Sequence, residues 1–330
     1  MTYPRAHLID SKNSGFYHLT SRCVRRAWLC GIDDHSGQNF DHRRVWIERR
    51  ILQLGQIFAT EVFAYAVMSN HYHLVVRVDP LGPLNWSDEV IARKWLALCP
   101  PGPSTSNAKA KYDMRLKALL GDDERLAVYR ERLGSLSWFM RFVNEPLARM
   151  ANREDQCTGR FWEGRFKSQA LLDDSALLAC VAYVDLNPVR AGITQKLEDC
   201  PHTSIRYRIQ HPQKLDSAGL GPLNRQPGLS PLVLEIGFGD YKSLLEWTIR
   251  EERGDRDVLP PSQVYRNLGK LGQSIDDWWC SYDMQRNRDC RAFGSRDALR
   301  SYIKRIGQKW IKYPHQKSWL RLSVLSGEPT

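Results

Sequence analysis

The 330-residue chain lacks any apolar run long enough to cross a bilayer as a helix; Phe63 to Met68, among the best stretches, falls far short. Residues 1–12 mix His, Asp, Lys and Arg with no apolar segment, so no secretory signal is expected and the expected location is the cytoplasm. The eight cysteines (Cys23, Cys30, Cys99, Cys157, Cys180, Cys200, Cys280 and Cys290) contain no Cys-x-x-Cys pair. No histidine cluster has finger spacing either, which argues against a structural zinc site and leaves scattered thiols of the kind a reducing cytosol keeps. No internal repeat is present. Acidic residues are in short supply, with Asp+Glu 37 against Lys+Arg 48 and a net charge of +11. What is plentiful is bulk: 42% apolar residues, with Trp 11, Tyr 13 and Phe 10, exclude disorder of the whole chain. The length suggests two folded units, or one enlarged by insertions.

The surplus of positive charge suits a polyanionic partner. From Ser281 to Leu320 there are 10 Lys/Arg and 3 Asp, so that 10 − 3 = +7 of the +11 lies in one stretch. A solvated basic tail is one reading. The other is a surface for single-stranded nucleic acid, since Phe293, Tyr302, Trp310 and Trp319 interleave the charges.

Patterning predicts a strand over Gly15–Cys23 and a helix from His42 to about Ile57, capped by Asp41. Phe58–Met68 and Tyr72–Val78 read as strands joined by a tight turn at Ser69-Asn70. Residues 80–132 read as an insertion, with a helical stretch near Glu89–Leu98, the breaker-rich segment Pro100–Ser106 and a charged helix. A helix resumes at Ser135, with Pro146 expected to kink or divide it. Gly159–Ala170 reads as extended, and a helix capped by Asp173 or Asp174 runs from Ser175 to about Asn187, where Pro188 ends it. Helices are also expected near Asp240–Arg253 and Ser295–Lys312. The order strand, helix, strand, strand, helix, strand, helix predicts an α+β fold: a ferredoxin-like antiparallel sheet with packed helices, followed by a mainly helical C-terminal extension.

His71 and His73 flank Tyr72, so both imidazoles leave one face of a strand, an arrangement suited to a divalent metal but more often a plain packing feature. A bare histidine pair favours zinc. Tyr183 and Asn187, four residues apart, share a helical face with Ala176, Ala179 and Cys180, small residues that leave room beside the tyrosine. Leu177, Val181 and Val184 form the face expected to meet the sheet. Taken singly, Tyr183 reads as a core aromatic and Asn187 as a cap.

Together, in this order, His71-Tyr72-His73, Arg160-Phe161-Trp162-Glu163 and Tyr183-Val184-Asp185-Leu186-Asn187-Pro188-Val189-Arg190-Ala191-Gly192 resemble the motifs of single-tyrosine HUH transposases. The wording is most similar to the REP-associated tyrosine transposases. The resemblance covers roughly residues 10–195 without much of the 80–132 insertion and implies a catalytic domain over residues 1–200. It does not extend to residues 201–330, which are expected on composition to be a basic, mainly helical accessory region, a candidate for DNA binding. It implies that Tyr183 is the nucleophile and that His71, His73 and Asn187 ligate Mg2+ or Mn2+. It also implies a metal-dependent nickase and strand-transferase that acts on single-stranded or hairpin DNA, as a monomer or homodimer, and lies with the nucleoid when bound.

The chemistry suits these groups. Neutral imidazoles and an amide leave an ion's full charge for a phosphate under attack. Tyrosine hydroxyls are mostly protonated at neutral pH; a nearby metal and basic residues such as Arg165 or Lys167 are expected to favour a phenolate, and the sequence identifies no general base. Arg160, Trp162, Arg165 and Lys167, with Phe161 and Phe166, form a mixed aromatic and basic strip. Arg296, Arg300 and Lys304 recur every fourth residue, opposite a face of Leu299, Ile303, Ile306 and Trp310, and make a candidate DNA-contacting helix. A non-catalytic nucleic-acid-binding regulator that keeps the fold is the alternative, and a metal-dependent phosphohydrolase a third reading.

Overall fold

The structure, a computed structural model, describes residues 4–24, 29–33, 37–98, 107–212, 220, 236–254, 260–287, 289–313 and 318–321. The expected Pro100–Ser106 segment and the side chain of Trp319 lie outside these. Among the described residues, strands β1 (Gly15–Arg22), β2 (Thr60–Val67), β3 (His71–Val78), β4 (Lys167–Leu171) and β5 (Ala292–Phe293) form one sheet in the order β2-β3-β1-β4-β5. The first four are antiparallel neighbours in ferredoxin-like order, as the sequence pattern predicts. The fifth runs parallel to β4 and makes the sheet mixed rather than purely antiparallel. A two-residue strand carries too little pattern to be foreseen.

Period-two alternation gives each face of the sheet its own core. On one side, Tyr17, Leu19, Tyr72, Leu74 and Val76 meet helices α1 (His42–Ile57) and α5 (Leu136–Glu154). On the other, Phe16, Val75 and Leu171 meet α6 (Asp174–Asp185). The insertion folds as α2 (Asp88–Leu98), α3 (Ala108–Leu120) and α4 (Asp123–Leu133), and joins the first core through Ile91, Leu126 and Leu133. Tyr72 points away from its two histidine neighbours, fully buried, and donates to Asn144 Oδ1 at 2.6 Å.

Several local expectations need correction. Asp41 does not cap α1 through its side chain; it takes helical dihedrals and pairs with Arg44 at 2.9 Å. Pro146 sits inside α5 without dividing it. Of the extended segment 159–170, only Lys167–Leu171 is a strand; the rest bends, with one bridge between Trp162 and Cys23.

Helix α6 starts as predicted, its Asp173 side chain accepting from the Ala176 N–H at 2.9 Å. It stops at Asp185, and Asn187 opens a separate turn, α7 (Asn187–Arg190), with Pro188 in its first turn, where a missing N–H costs no hydrogen bond. The C-terminal part adds α8 (Ser204–Gln210), α9 (Phe238–Glu252), α10 (Ser262–Lys270), α11 (Ile275–Met284) and α12 (Arg296–Arg305). The predicted helix to Lys312 ends early. Gly307 takes φ +66°, and the Gln308 N–H bonds back to the Ile303 carbonyl at 2.9 Å, a left-handed stop that glycine permits. Trp310 therefore lies in strand β6 (Trp310–Tyr313), paired with β7 (Ser318–Arg321), rather than on the helix. No helix among the described residues is long and apolar enough to cross a membrane.

Candidate active site

Strands β1 and β3 occupy the middle of the sheet, and their register lines up polar side chains on the α6 face. His73 sits opposite Thr20, and His71 opposite Arg22. His18, two residues before Thr20, faces Gln169 of β4. The result is a chain of hydrogen-bonding groups. His71 Nε2 lies 3.0 Å from His73 Nε2, and His73 Nδ1 lies 2.9 Å from His18 Nε2 and 3.2 Å from Thr20 Oγ1. His18 Nδ1 in turn lies 3.0 Å from Gln169 Oε1. Burial pushes the His18 pKa down to about 4 against the Gln169 hydrogen bond, helped by the nearby Arg190 charge, so its ring is neutral at pH 7.

The spacing of the paired nitrogens tests whether a divalent ion suits them. Donors at right angles around a six-coordinate magnesium-sized ion, each about 2.1 Å away, are about 3.0 Å apart. His71 and His73 match that separation. His71 Nδ1 contacts Asn70 Oδ1 at 2.5 Å, the outer hydrogen bond that orients a ligating imidazole. His18 approaches the far nitrogen of His73 and so supports the pair rather than adding to it. Among the described residues no group of three or more His, Cys, Asp and Glu side chains is arranged to hold a metal ion.

The structure brings Tyr183 to the same place. Its ring centroid is 5.9 Å from that of His73 and 6.1 Å from that of His18, both edge-on. Tyr183 is buried, with 8% of its surface exposed, and packs in the core on the α6 face of the sheet. Tyr183 and Asn187 line an open cleft of about 780 Å³, walled by Val189, Arg190 and Ala191, by Ile249, Glu252 and Arg253 of the α9 end, and by Trp279, Asp283 and Arg286 around α11. His71 and His73 do not line it, so Tyr183 is the residue common to cleft and histidine pair. The room expected beside the tyrosine is partly filled. Tyr282 of α11 packs against it with ring centroids 6.3 Å apart, because the small residues of α6 let α11 come close.

Comparison with known proteins adds little. No family model matches the chain, and no curated protein matches it. Among solved structures it is similar to a REP-associated tyrosine transposase bound to a REP hairpin, at 14% identity and a TM-score of 0.38, over 70% of this chain and 94% of that one.

The remaining predicted residues fall in two places. Arg160, Arg165 and Lys167 are exposed around the start of β4. Trp162 is half-buried edge-on against Tyr72, and its indole N–H donates to the Asn144 carbonyl at 2.9 Å, which makes it a prop under the histidine hairpin. Arg296, Arg300 and Lys304 are exposed on α12, far along the chain, while Leu299 and Ile303 are buried beneath them. The cation against Tyr183 is Arg190, its Cζ 3.8 Å from the ring centroid, not the expected Arg165 or Lys167. Arg190 was visible in the Asn-Pro-Val-Arg block, yet nothing in its spacing assigned it to the tyrosine. His18 and Gln169 were missed as well. A lone histidine and a lone glutamine on strands have no signal until the register is known.

Proposed function

We propose that the protein is a metal-dependent DNA nickase and strand-transferase of the single-tyrosine transposase type, acting on single-stranded or hairpin DNA. Tyr183 is the nucleophile, and His71, His73 and Asn187 hold Mg2+ or Mn2+. Residues 1–200 are the catalytic unit and 201–330 a basic accessory region. The reading is carried by one observation: the approach of Tyr183, from α6, to the His71–His73 pair on β3, with the Tyr183 and His73 rings 5.9 Å apart.

His71, His73 and Asn187 would hold the ion through neutral imidazoles and an amide, which would leave its full positive charge to stabilise the scissile phosphate under attack. The Tyr183 oxygen attacks phosphorus and its proton passes to solvent. The bond from phosphorus to the 3′ oxygen breaks, and that oxygen takes up a proton. The products are a 5′-phosphotyrosine and a free 3′-OH, and attack by the 3′-OH of another end reverses the step and joins strands, with no nucleotide cofactor. Arg190 lies against the tyrosine ring, where it stabilises negative charge on the oxygen or phosphate. The exposed Arg160, Arg165 and Lys167, and the α12 residues Arg296, Arg300 and Lys304, contact the DNA backbone.

The test is to incubate labelled hairpin DNA with the protein and Mg2+ or Mn2+. A covalent adduct that disappears in Tyr183→Phe is expected. Cleaved product without an adduct would favour hydrolysis, and binding without either would favour a non-catalytic regulator.

A further inference from the structure

Gln169 of β4 is held from two sides. Its Nε2 lies 3.0 Å from the carbonyl oxygen of Asn287 and 2.8 Å from that of Cys290, both in the segment between α11 and β5. Carbonyl oxygens only accept, so the amide nitrogen must point to them and Oε1 must point to His18. Oε1 also only accepts, so the hydrogen in the 3.0 Å contact sits on His18 Nδ1. His18 is buried against Gln169, His73 and Tyr183, none of them a carboxylate, so its ring stays neutral, turns a lone pair at Nε2 toward His73 Nδ1, 2.9 Å away, and His73 must donate. Thr20 Oγ1, at 3.2 Å, accepts from the same nitrogen. The hydrogen of the His73 ring is thereby assigned to Nδ1, and Nε2, the nitrogen that faces His71, carries a lone pair.

We propose that Gln169 and His18 are positioning residues that fix His73 as its Nδ1–H tautomer, with the Asn287 and Cys290 carbonyls setting the direction of the relay. The proposal rests on the metal-dependent reading above, since this is the tautomer that offers Nε2 to an ion. It gives the C-terminal region a part in the chemistry besides DNA contact. Two carbonyls from residues beyond 280 decide where a proton sits on a strand at residue 73. Either link reversed, for instance by an amide turned through 180°, would put the hydrogen on His73 Nε2 and close that nitrogen to a metal.

The experiment is nitrogen NMR of the imidazoles in the full chain with labelled histidine, together with Mn2+ titration. In the metal-free wild type, His73 is expected as the Nδ1–H form. In Gln169→Met it is expected as a mixture of tautomers, with Mn2+ affinity down about 10- to 100-fold, the usual cost of losing an outer-shell partner. Finding His73 protonated at Nε2 in the wild type would overturn the proposal, even if the variant did not fold. So would an unchanged tautomer and affinity in folded Gln169→Met. A wild type that shows the Nδ1–H form but does not bind Mn2+ would uphold the relay and remove the metal-dependent reading, so the two failures are told apart.

Discussion

The guanidinium of Arg190 lies over the ring of Tyr183, Cζ to centroid 3.8 Å, seven residues further along the chain. The break at Pro188 makes this possible, because α7 restarts the helix and returns Arg190 over the last turns of α6. A fixed cation beside a nucleophile, the role proposed for Tyr183, acts on charge that develops in the transition state and costs no reorganisation at that moment. Arg190→Gln is therefore expected to slow adduct formation about 100- to 1000-fold in single-turnover assays, the range seen for loss of one such donor, while hairpin affinity changes by less than about threefold. Arg190→Lys keeps the charge without the planar stack and should recover part of the rate. Equal loss of rate and affinity in Arg190→Gln would make it a plain DNA contact.

The polar network under the end of α6 holds that geometry. Asp185 is fully buried and accepts from the Ser204 hydroxyl, from the Ile205 N–H at 3.0 Å and from the Tyr241 hydroxyl at 2.7 Å. Arg208, 1% exposed, supplies opposing charge and donates to the Phe63 carbonyl at 2.6 Å. Asp185→Ala removes the shared acceptor and leaves a buried cation without its counter-charge. A loss of about 3–5 kcal/mol is expected, the range for breaking a buried pair, read from the urea midpoint. A loss below about 1 kcal/mol would mean that water replaces the carboxylate.

Much of this was written in the sequence, and the limits are physical. Alternation in Gly15–Arg22 and His71–Val78 and the helical spacing in Leu136–Glu154 reveal their elements, because one buried face imposes the period. The motif order brings Tyr183 and the histidine pair together by resemblance. His18 and Gln169 stay silent, since their meeting depends on the β1–β4 register, a property of the assembled sheet. Helix α11 stays silent for another reason. Trp278 and Tyr282 are buried against α6 while its first turn is acidic, so the segment reads as loop until its partner is known. Trp310 misleads in the opposite sense, since its spacing continues the α12 pattern past Gly307, where the backbone turns.

A pH test reports on the junction between α1 and β2. Glu48 accepts from the Tyr65 hydroxyl at 2.6 Å and from His202 Nδ1 at 2.7 Å. Burial alone would raise its carboxyl, but the hydrogen bonds from His202 and Tyr65 win and hold it below the ordinary 4.5. A carboxyl depressed in the folded state stabilises the fold above its unfolded pKa, and the contribution fades as pH falls through the lower, folded value. The stability gap between wild type and Glu48→Gln should thus be full near pH 7 and shrink below about pH 4.5. Urea midpoints that stay equally far apart across this range would contradict the assignment.

The basic stripe on α12 yields to a salt titration. Arg296, Arg300 and Lys304 are exposed on one face, where Arg300 pairs with Asp297 at 3.2 Å on the surface. Deleting the C-terminal tail cannot isolate their role, because residues 292–293 form a strand of the sheet and residues 287 and 290 hold Gln169. Charge neutralisation can, since Leu299, Tyr302 and Ile303 beneath the stripe stay in place. Each phosphate contact contributes about 0.7 to 0.9 to the slope of log affinity against log salt. The triple change Arg296→Gln, Arg300→Gln, Lys304→Gln should therefore flatten that slope by about 2 to 3 for hairpin DNA, with adduct chemistry at saturating DNA unchanged. A slope equal to that of the wild type would leave these residues as a solvated face. The DNA contacts proposed above would then have to come from Arg160, Arg165 and Lys167, the last of which opens β4 in the sheet that carries His73.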